Sequence, residues 1–335
     1  MNDKNSILET LGCENCGSKP MSIPSQTEIA CQTCNRRWSI GPKGCINSLT
    51  SPSPSVLNEI NGMMNEHSGK FKDINDFLFQ KKESISKLAD RIQASDLEGL
   101  PKNYFRSTLQ NFEYAFSRLK ISGKEKVLEI GAEHDCPFLS RFSDKGCECF
   151  ATNLFFTYED GKKPQANPII ADMNDLPFRN NTFDVVLMSA TSHHSPNLPG
   201  LFQELSRVTK PGGILLMLNE PTYGVLKHSL DWIGLGTKKG GNRNHSINEN
   251  EYSAFQYTKL GNMSGFKIRE SFFSVYYDNK LRSGDVSGVR FTPLAKVASS
   301  LWKWNIFRKL ITTWLLFPLQ QLIGLELNAI YTKIR

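Results

Sequence analysis

The sequence predicts an α/β fold: a mostly parallel sheet with helices on both faces, preceded by a small cysteine module and helices. Two observations carry that prediction. The short apolar runs KVLEI (126–130), FDVVLM (183–188) and ILLML (214–218) have the continuous hydrophobicity of strands buried on both faces. The last two are separated by Leu201–Val208, whose apolar positions have helical spacing, so strand and helix alternate as in a parallel sheet.

The elements follow in order. Residues 1–50 hold the cysteine module, and SPSPS at 51–55 marks a linker. From Val56 to Ile121 the chain reads as helical, with Tyr104, Leu109, Phe112, Phe116 and Leu119 at mostly helical spacing over Asn103–Leu119. Lys126–Ile130 is a strand ending at Gly131, Phe138–Phe142 starts a helix, and Cys149–Leu154 is a further strand. Ile169 and Ile170 lead to Asp172. Beyond Ile214–Leu218, a helix is expected over Glu249–Met263 and a strand over Phe266–Tyr276. Leu294–Leu325 reads as helical and aromatic, and Leu327–Ile334 as the last strand. The expected division is 1–50, 51–121 and 122–335, with a helical insertion over about 293–325.

Composition excludes some classes. With 39% hydrophobic and 22% charged residues, the 335-residue chain can bury a core, which excludes general disorder. No run approaches the ~20 apolar residues of a spanning helix, and MNDKNSILET lacks a secretory signal, so the expected compartment is the cytoplasm. The net charge of +7 is unevenly placed. Val286–Arg335 holds seven basic residues and one acidic, so the first 285 residues net only +1.

Cys13-x2-Cys16 and Cys31-x2-Cys34 are separated by 14 residues. Each CxxC turn directs two thiolates to one point, and two turns complete a tetrahedral S4 site that suits zinc. Four protein ligands leave no open position for water, so the expected zinc is structural. Cys45 lies outside this spacing and reads as an ordinary thiol. The segments LGCENCGSKP, ACQTCNRRWSI and GCINSL resemble the Trm112-like zinc ribbon family. They also resemble the ribbon of bacterial ribosomal RNA large-subunit guanine methyltransferases, which helps hold RNA.

The stretch ADMNDLPFRNNTFDVVLMSATSHHSPNLPGLFQELSRVTKPGGILLMLNEP resembles class I S-adenosylmethionine-dependent methyltransferases of the broad ubiquinone-biosynthesis-like group. The resemblance runs from about Glu125 to Phe273 and implies a Rossmann-like seven-stranded sheet. It also implies a cofactor site. Asp172 would accept from the adenine amino group, and the Met173 backbone N–H would meet a ring nitrogen. Glu129 and Gly131 would line the amino-acid end, Asn153 stands at the ribose-binding position, and Leu154 and Ser189 complete the cofactor-binding set. His193 and His194 follow that strand, where the family faces the reacting methyl group, so an imidazole there could take a proton from a hydroxyl or amine. Glu220, Tyr223, His245, Glu249 and Tyr252 are further candidates for the acceptor pocket or its lid.

Two positions depart from the family pattern. The turn after the first strand reads GAEHD, with one glycine in place of Gly-x-Gly-x-Gly, and Asn153 stands where an acidic ribose ligand is usual. An amide oxygen still accepts, but without the charge that strengthens the bond.

Three functions are open at this point. One is methyl transfer to an oxygen or nitrogen of a small-molecule, glycan or lipid-linked acceptor. Another is methylation of a ribosomal RNA guanine, against which stands the near-neutral body. The last is a non-catalytic binding subunit. Trp302, Trp304, Phe307, Trp314 and Phe317, interspersed with Lys296, Lys303, Arg308 and Lys309, suit a bilayer interface at 294–325 or a packed insertion in the fold. Peripheral attachment to the inner face of the membrane is the localisation this implies.

Overall fold

The structure is a computed structural model. It describes residues 4–13, 16, 21–50, 52–66, 71–81, 102–132, 136–158, 160–161, 164–224, 250, 252–284, 292–316, 318 and 326–334. His245, Glu249, Glu133, His134 and Asp135 lie outside these residues.

Seven strands form the expected sheet: β6 (Lys126–Ile130), β7 (Glu148–Asn153), β9 (Asn167–Ile170), β10 (Phe183–Ser189), β11 (Thr209–Glu220), β12 (Phe266–Ser271) and β13 (Leu327–Lys333). Their order is β9-β7-β6-β10-β11-β13-β12, and only β13 runs against its neighbours. The order reverses between β7-β6 and β6-β10, which makes the carboxyl ends of β6 and β10 the topological switch point, where open α/β sheets take ligands.

Alternation along each strand divides the core. Leu128, Ile130, Val186, Met188, Leu215 and Met217 face one side, with Leu201, Phe202, Leu205 and Val208 of α6 (Leu198–Val208) and Tyr257 of α7 (Ala254–Met263). Val127, Val185, Leu187, Leu216 and Leu218 face the other, with Phe112 and Ala115 of α4 (Lys102–Ser117) and Phe138, Leu139 and Phe142 of α5 (Pro137–Ser143). Each such side chain contributes roughly 1.5–3 kcal/mol by burial. Caps fix the helix starts: Asn197 Oδ1 accepts from Gly200 N at 3.1 Å, and Ser253 and Gln256 form a reciprocal capping box.

The sheet is wider than expected. β1 (Met21–Ser25), β2 (Glu28–Cys31), β3 (Arg37–Ile40) and β4 (Ile46–Asn47) form an antiparallel ribbon whose last strand pairs in parallel with β9 through Ile46–Ile169 and Asn47–Ile170. The cysteine module therefore extends one sheet to eleven strands. It also grips the loop after β9. Gly12 N donates to Pro177 O, Arg179 N to Thr10 O, and Arg179 Nε to Leu11 O at 2.8 Å. The helix α1 (Lys4–Thr10) opens this contact.

Two expectations are corrected at the local level. The region 56–121 is not wholly helical. α2 (Pro54–Glu66) and α3 (Ile74–Leu78) are followed by β5 (Phe79–Lys81), which pairs in parallel with β8 (Phe156–Tyr158). The strand expected to reach Tyr276 ends at Ser271, and α8 (Val275–Ser283) follows, stopped by Gly284 at φ +83°. The helical insertion before β13 thus includes α8, then α9 (Thr292–Trp302), α10 (Asn305–Lys309) and a π-helical segment Leu310–Leu315. No helix among the described residues is long and apolar enough to cross a membrane.

Candidate active site and cysteine centre

The parallel registers bring the candidate residues to one edge. Ile130 aligns with Met188 and Thr152, Asn153 with Ile170, and Ser189 with Leu218. Glu129, Gly131, Asn153, Leu154, Asp172, Met173, Ser189 and His193 accordingly lie at or just beyond the carboxyl ends of four adjacent strands.

Gly131 is required twice over. Its φ is +73°, and a Cβ there would collide with the Thr191 side chain. Its N–H and that of Ala132 both donate to Thr152 O, at 2.8 and 3.0 Å, which locks the turn after β6 to β7. Glu129 is buried just before that turn.

Asn153 joins two turns. Its Nδ2 donates to Ala132 O at 2.8 Å, and its Oδ1 accepts from Leu154 N at 2.7 Å. The amide ties the first turn to the second, using its donor and its acceptor together. Leu154 is buried beneath α2, in a cluster with Val56, Ile60 and Ile170.

Asp172 forms an Asx turn, its Oδ1 accepting from Asn174 N at 2.8 Å. Burial raises its carboxyl above the ordinary value, and the Glu204 charge adds to this, while the Asn174 bond opposes it. Oδ2 has no hydrogen bond among the described residues. The turn residue and the acceptor are therefore compatible readings of one carboxylate. Met173, next to it, is half-buried.

A buried carboxylate organises the loop after β10. Glu220, at the end of β11, is fully buried; its Oε1 accepts from Thr191 N at 2.8 Å and Ser192 N at 2.9 Å, and its Oε2 lies 3.2 Å from His193 Nδ1. Burial alone would raise this carboxyl. The bonds from His193, Ser192 and Thr191 outweigh it and hold the group below the usual glutamate value. An ionised Glu220 can only accept, so Nδ1 carries a proton and donates to it. The backbone of the loop is clamped as well: Asn250 Nδ2 donates to His193 O and Ser195 O, both at 3.1 Å, and Tyr252 Oη to Ser195 O at 2.9 Å.

His194 faces away to Glu59 of α2, with Nδ1 to Oε1 at 4.0 Å, and its ring centre lies 4.2 Å from that of His193. Sequence reasoning missed Glu59. The signal was present, because Glu59 stands in the apolar stripe Val56, Ile60, Met63 at helical spacing. Ser189 Oγ accepts from Asn219 Nδ2 at 2.9 Å, and Asn219, at φ +57°, also accepts from Asn111 Nδ2 of α4 at 2.8 Å.

The four module cysteines do converge. Cys13 and Cys34 sulfurs are 3.5 Å apart, Cys16 and Cys31 sulfurs 3.6 Å, and all four lie within 4.8 Å of one another. Tetrahedral zinc with Zn–S near 2.3 Å sets S···S at about 3.8 Å, so the donor set fits. Cys45 is outside the cluster, buried with Ile170, and burial pushes its thiol well above the ordinary value.

The polar groups gather at the carboxyl switch point of a doubly wound sheet, the place where α/β proteins of this topology take ligands. Within it, residues 135–217 match the family model described as a methyltransferase domain. A mitochondrial arginine-hydroxylase, NDUFAF5 of Danio rerio, is 36% identical over 102 residues, 30% of this chain and 30% of its own length. Sterol 24-C-methyltransferase ERG6A of Gibberella zeae is 24% identical over 151 residues, 41% of this chain and 39% of its own length. A chain from the complex between the Haloferax volcanii Trm112 methyltransferase activator and a methyltransferase aligns at TM-score 0.46 and 16% identity, covering 73% of this chain and 97% of its own. The chain spans less than two fifths of the length of these two curated relatives.

Proposed function

We propose that this protein transfers a methyl group from S-adenosylmethionine to an oxygen or nitrogen of a small-molecule, glycan or lipid-linked acceptor. The observation that carries the reading is the convergence of Asp172, Glu129, Gly131 and the Glu220–His193 pair on one sheet edge, inside or beside the segment that matches a methyltransferase domain.

S-adenosylmethionine supplies an electrophilic methyl on a sulfonium. The chain's part is to hold the cofactor and the acceptor in line and to take the acceptor's proton. Asp172 Oδ2 is the acceptor for the adenine amino group and Met173 N–H the donor to the ring; Glu129 and the Gly131 turn take the amino-acid end. With Asn153 committed to the two turns, Leu154 and Asn153 shape the ribose side more by fixed backbone than by charge. His193, oriented by Glu220, is the base, while His194 turns to Glu59. Zinc in the four-cysteine centre is structural and holds the ribbon whose Gly12 and Thr10 grip the loop after Asp172.

Two relatives are named for lipid acceptors, a sterol and a phthiotriol dimycocerosate, the latter at 32% identity over 99 residues in Mycobacterium ulcerans. These and the near-neutral body favour a lipid-linked or small acceptor over RNA. The test is transfer of labelled methyl from S-adenosylmethionine to fractionated extracts. Label in an organic-phase or glycan fraction, lost in His193→Ala, supports the proposal. Label in ribosomal RNA makes it an RNA enzyme, and no label with tight cofactor binding makes it a binding subunit.

A further inference from the structure

Among the described residues, the insertion between β12 and β13 keeps several large apolar side chains in solvent. Trp302 is the packed side: it is 5% exposed, lies against Phe273 and Phe307, and its Nε1 donates to Asp278 Oδ1 at 2.8 Å. Two residues on, Trp304 is 69% exposed and Ile306 86% exposed, and Val297, Leu301, Leu310 and Leu315 of the same insertion are exposed as well. Buried Ser299, whose Oγ donates to Leu281 O, fixes α9 against α8, so the exposed set belongs to a surface with a defined inner side.

The charge on this surface has one sign. Lys296, Lys303, Arg308 and Lys309 sit among the exposed apolar residues, and from residue 292 to 318 the sequence has no Asp or Glu. Tryptophan and long cationic side chains around exposed aliphatics suit the headgroup layer of an anionic bilayer, where the ring sits at the boundary and the amines reach phosphates. A protein partner of ordinary mixed charge has no such need for a one-signed rim.

The insertion also lies at the right end of the molecule. β12 ends at Ser271 and β13 starts at Leu327, which pairs with Glu220. The segment between them therefore leaves and re-enters at the carboxyl edge that holds the candidate site. Its root is hydrogen-bonded to that site: Phe272 N donates to Asn328 O, Asn219 N donates to Asn328 Oδ1, and Asn219 Nδ2 donates to Ser189 Oγ.

We propose that the Trp304–Ile306 face docks on an anionic phospholipid surface and turns the carboxyl edge toward it, so that a lipid-linked acceptor reaches the site without leaving the membrane. The docking rests on the surface alone; the acceptor route rests on the methyl-transfer reading above.

The experiment is co-sedimentation of the zinc-loaded full chain with phosphatidylglycerol–phosphatidylcholine vesicles and with pure phosphatidylcholine vesicles, without cofactor. Binding is expected to the anionic vesicles, weakened by salt. Trp304→Ser with Ile306→Ser, and separately Lys296→Glu with Lys303→Glu, should each lower partitioning about tenfold or more. Cofactor affinity and circular dichroism of both variants should stay at wild-type values, which separates failure of docking from failure of the methyl-transfer reading. No vesicle binding by folded wild type, or equal binding by the variants, overturns the proposal. So does a concentration-dependent dimer that Trp304→Ser dissolves, because the face is then an interface between copies.

Discussion

The two ends of the sheet carry two additions built on opposite principles. At the β9 edge, the N-terminal ribbon joins by backbone pairing, buries Leu11, Trp38 and Ile46 in the main core, and gathers its thiols at one point. At the β12 end, the insertion is rooted through a few buried polar groups and keeps large apolar side chains in solvent. The difference lies in how each is held: the first addition is packed into the core, and the second is anchored at its root while its outer side chains stay in solvent.

The sharpest way to break that comparison is at the ribbon. Cys31→Ser removes a buried ligand, and metal removal should do the same. Either is expected to cost about 4 kcal/mol or more, on the order of 8 °C in Tm, read by thermal denaturation with and without a chelator. An unchanged melting curve would mean that the ribbon stands on its apolar contacts alone.

The next effect lies at the centre. Glu220→Gln replaces an acceptor of three hydrogen bonds, and a loss of about 3 kcal/mol is expected. Because the folded Glu220 carboxyl is held below its unfolded value, its stabilisation is present above the ordinary glutamate pKa and lost as pH falls through the lowered one. Urea midpoints of wild type and Glu220→Gln should therefore converge as acid is added and stay apart at neutral pH. Denaturation series at several pH values read both points.

Asn153→Asp is a smaller test. Restoring the acidic residue that the resemblance implies removes the donor to Ala132 O and sets a carboxylate against that carbonyl. A loss of about 1–2 kcal/mol is expected, with no gain in cofactor affinity. A gain would mean that the amide's turn contacts are incidental. Smallest of all, Trp304→Ser should move Tm by no more than about 0.5 kcal/mol's equivalent, since the ring is 69% exposed. A large loss would place the insertion with the ribbon, as a stabilising element.

Much of this was legible in the sequence where contacts are local or burial is two-sided. KVLEI and FDVVLM could only be central strands, and the CxxC pairs announced their convergence. β4 was not legible, because two residues become a strand only through pairing with Ile169 and Ile170, far along the chain. β5 and β8 failed for the same reason. VYY at 275–277 has strand propensity, yet packing of Tyr276 and Leu281 makes it helical, so tertiary contacts overrode local preference. At the site, Asp172 and Glu220 stood at strand ends, where chemistry is expected. The commitment of Asn153 to its neighbouring turns was hidden, since it depends on where Ala132 O lies.

The central claim is that the carboxyl edge around Asp172 holds S-adenosylmethionine. The most direct test is calorimetric titration of zinc-loaded protein with S-adenosylmethionine and S-adenosylhomocysteine, wild type against Asp172→Ala. The account predicts saturable one-site binding that weakens about 10- to 100-fold in the variant, as for loss of a charged hydrogen bond. Well-folded wild-type protein that binds neither ligand, or binding that Asp172→Ala leaves untouched, would contradict it.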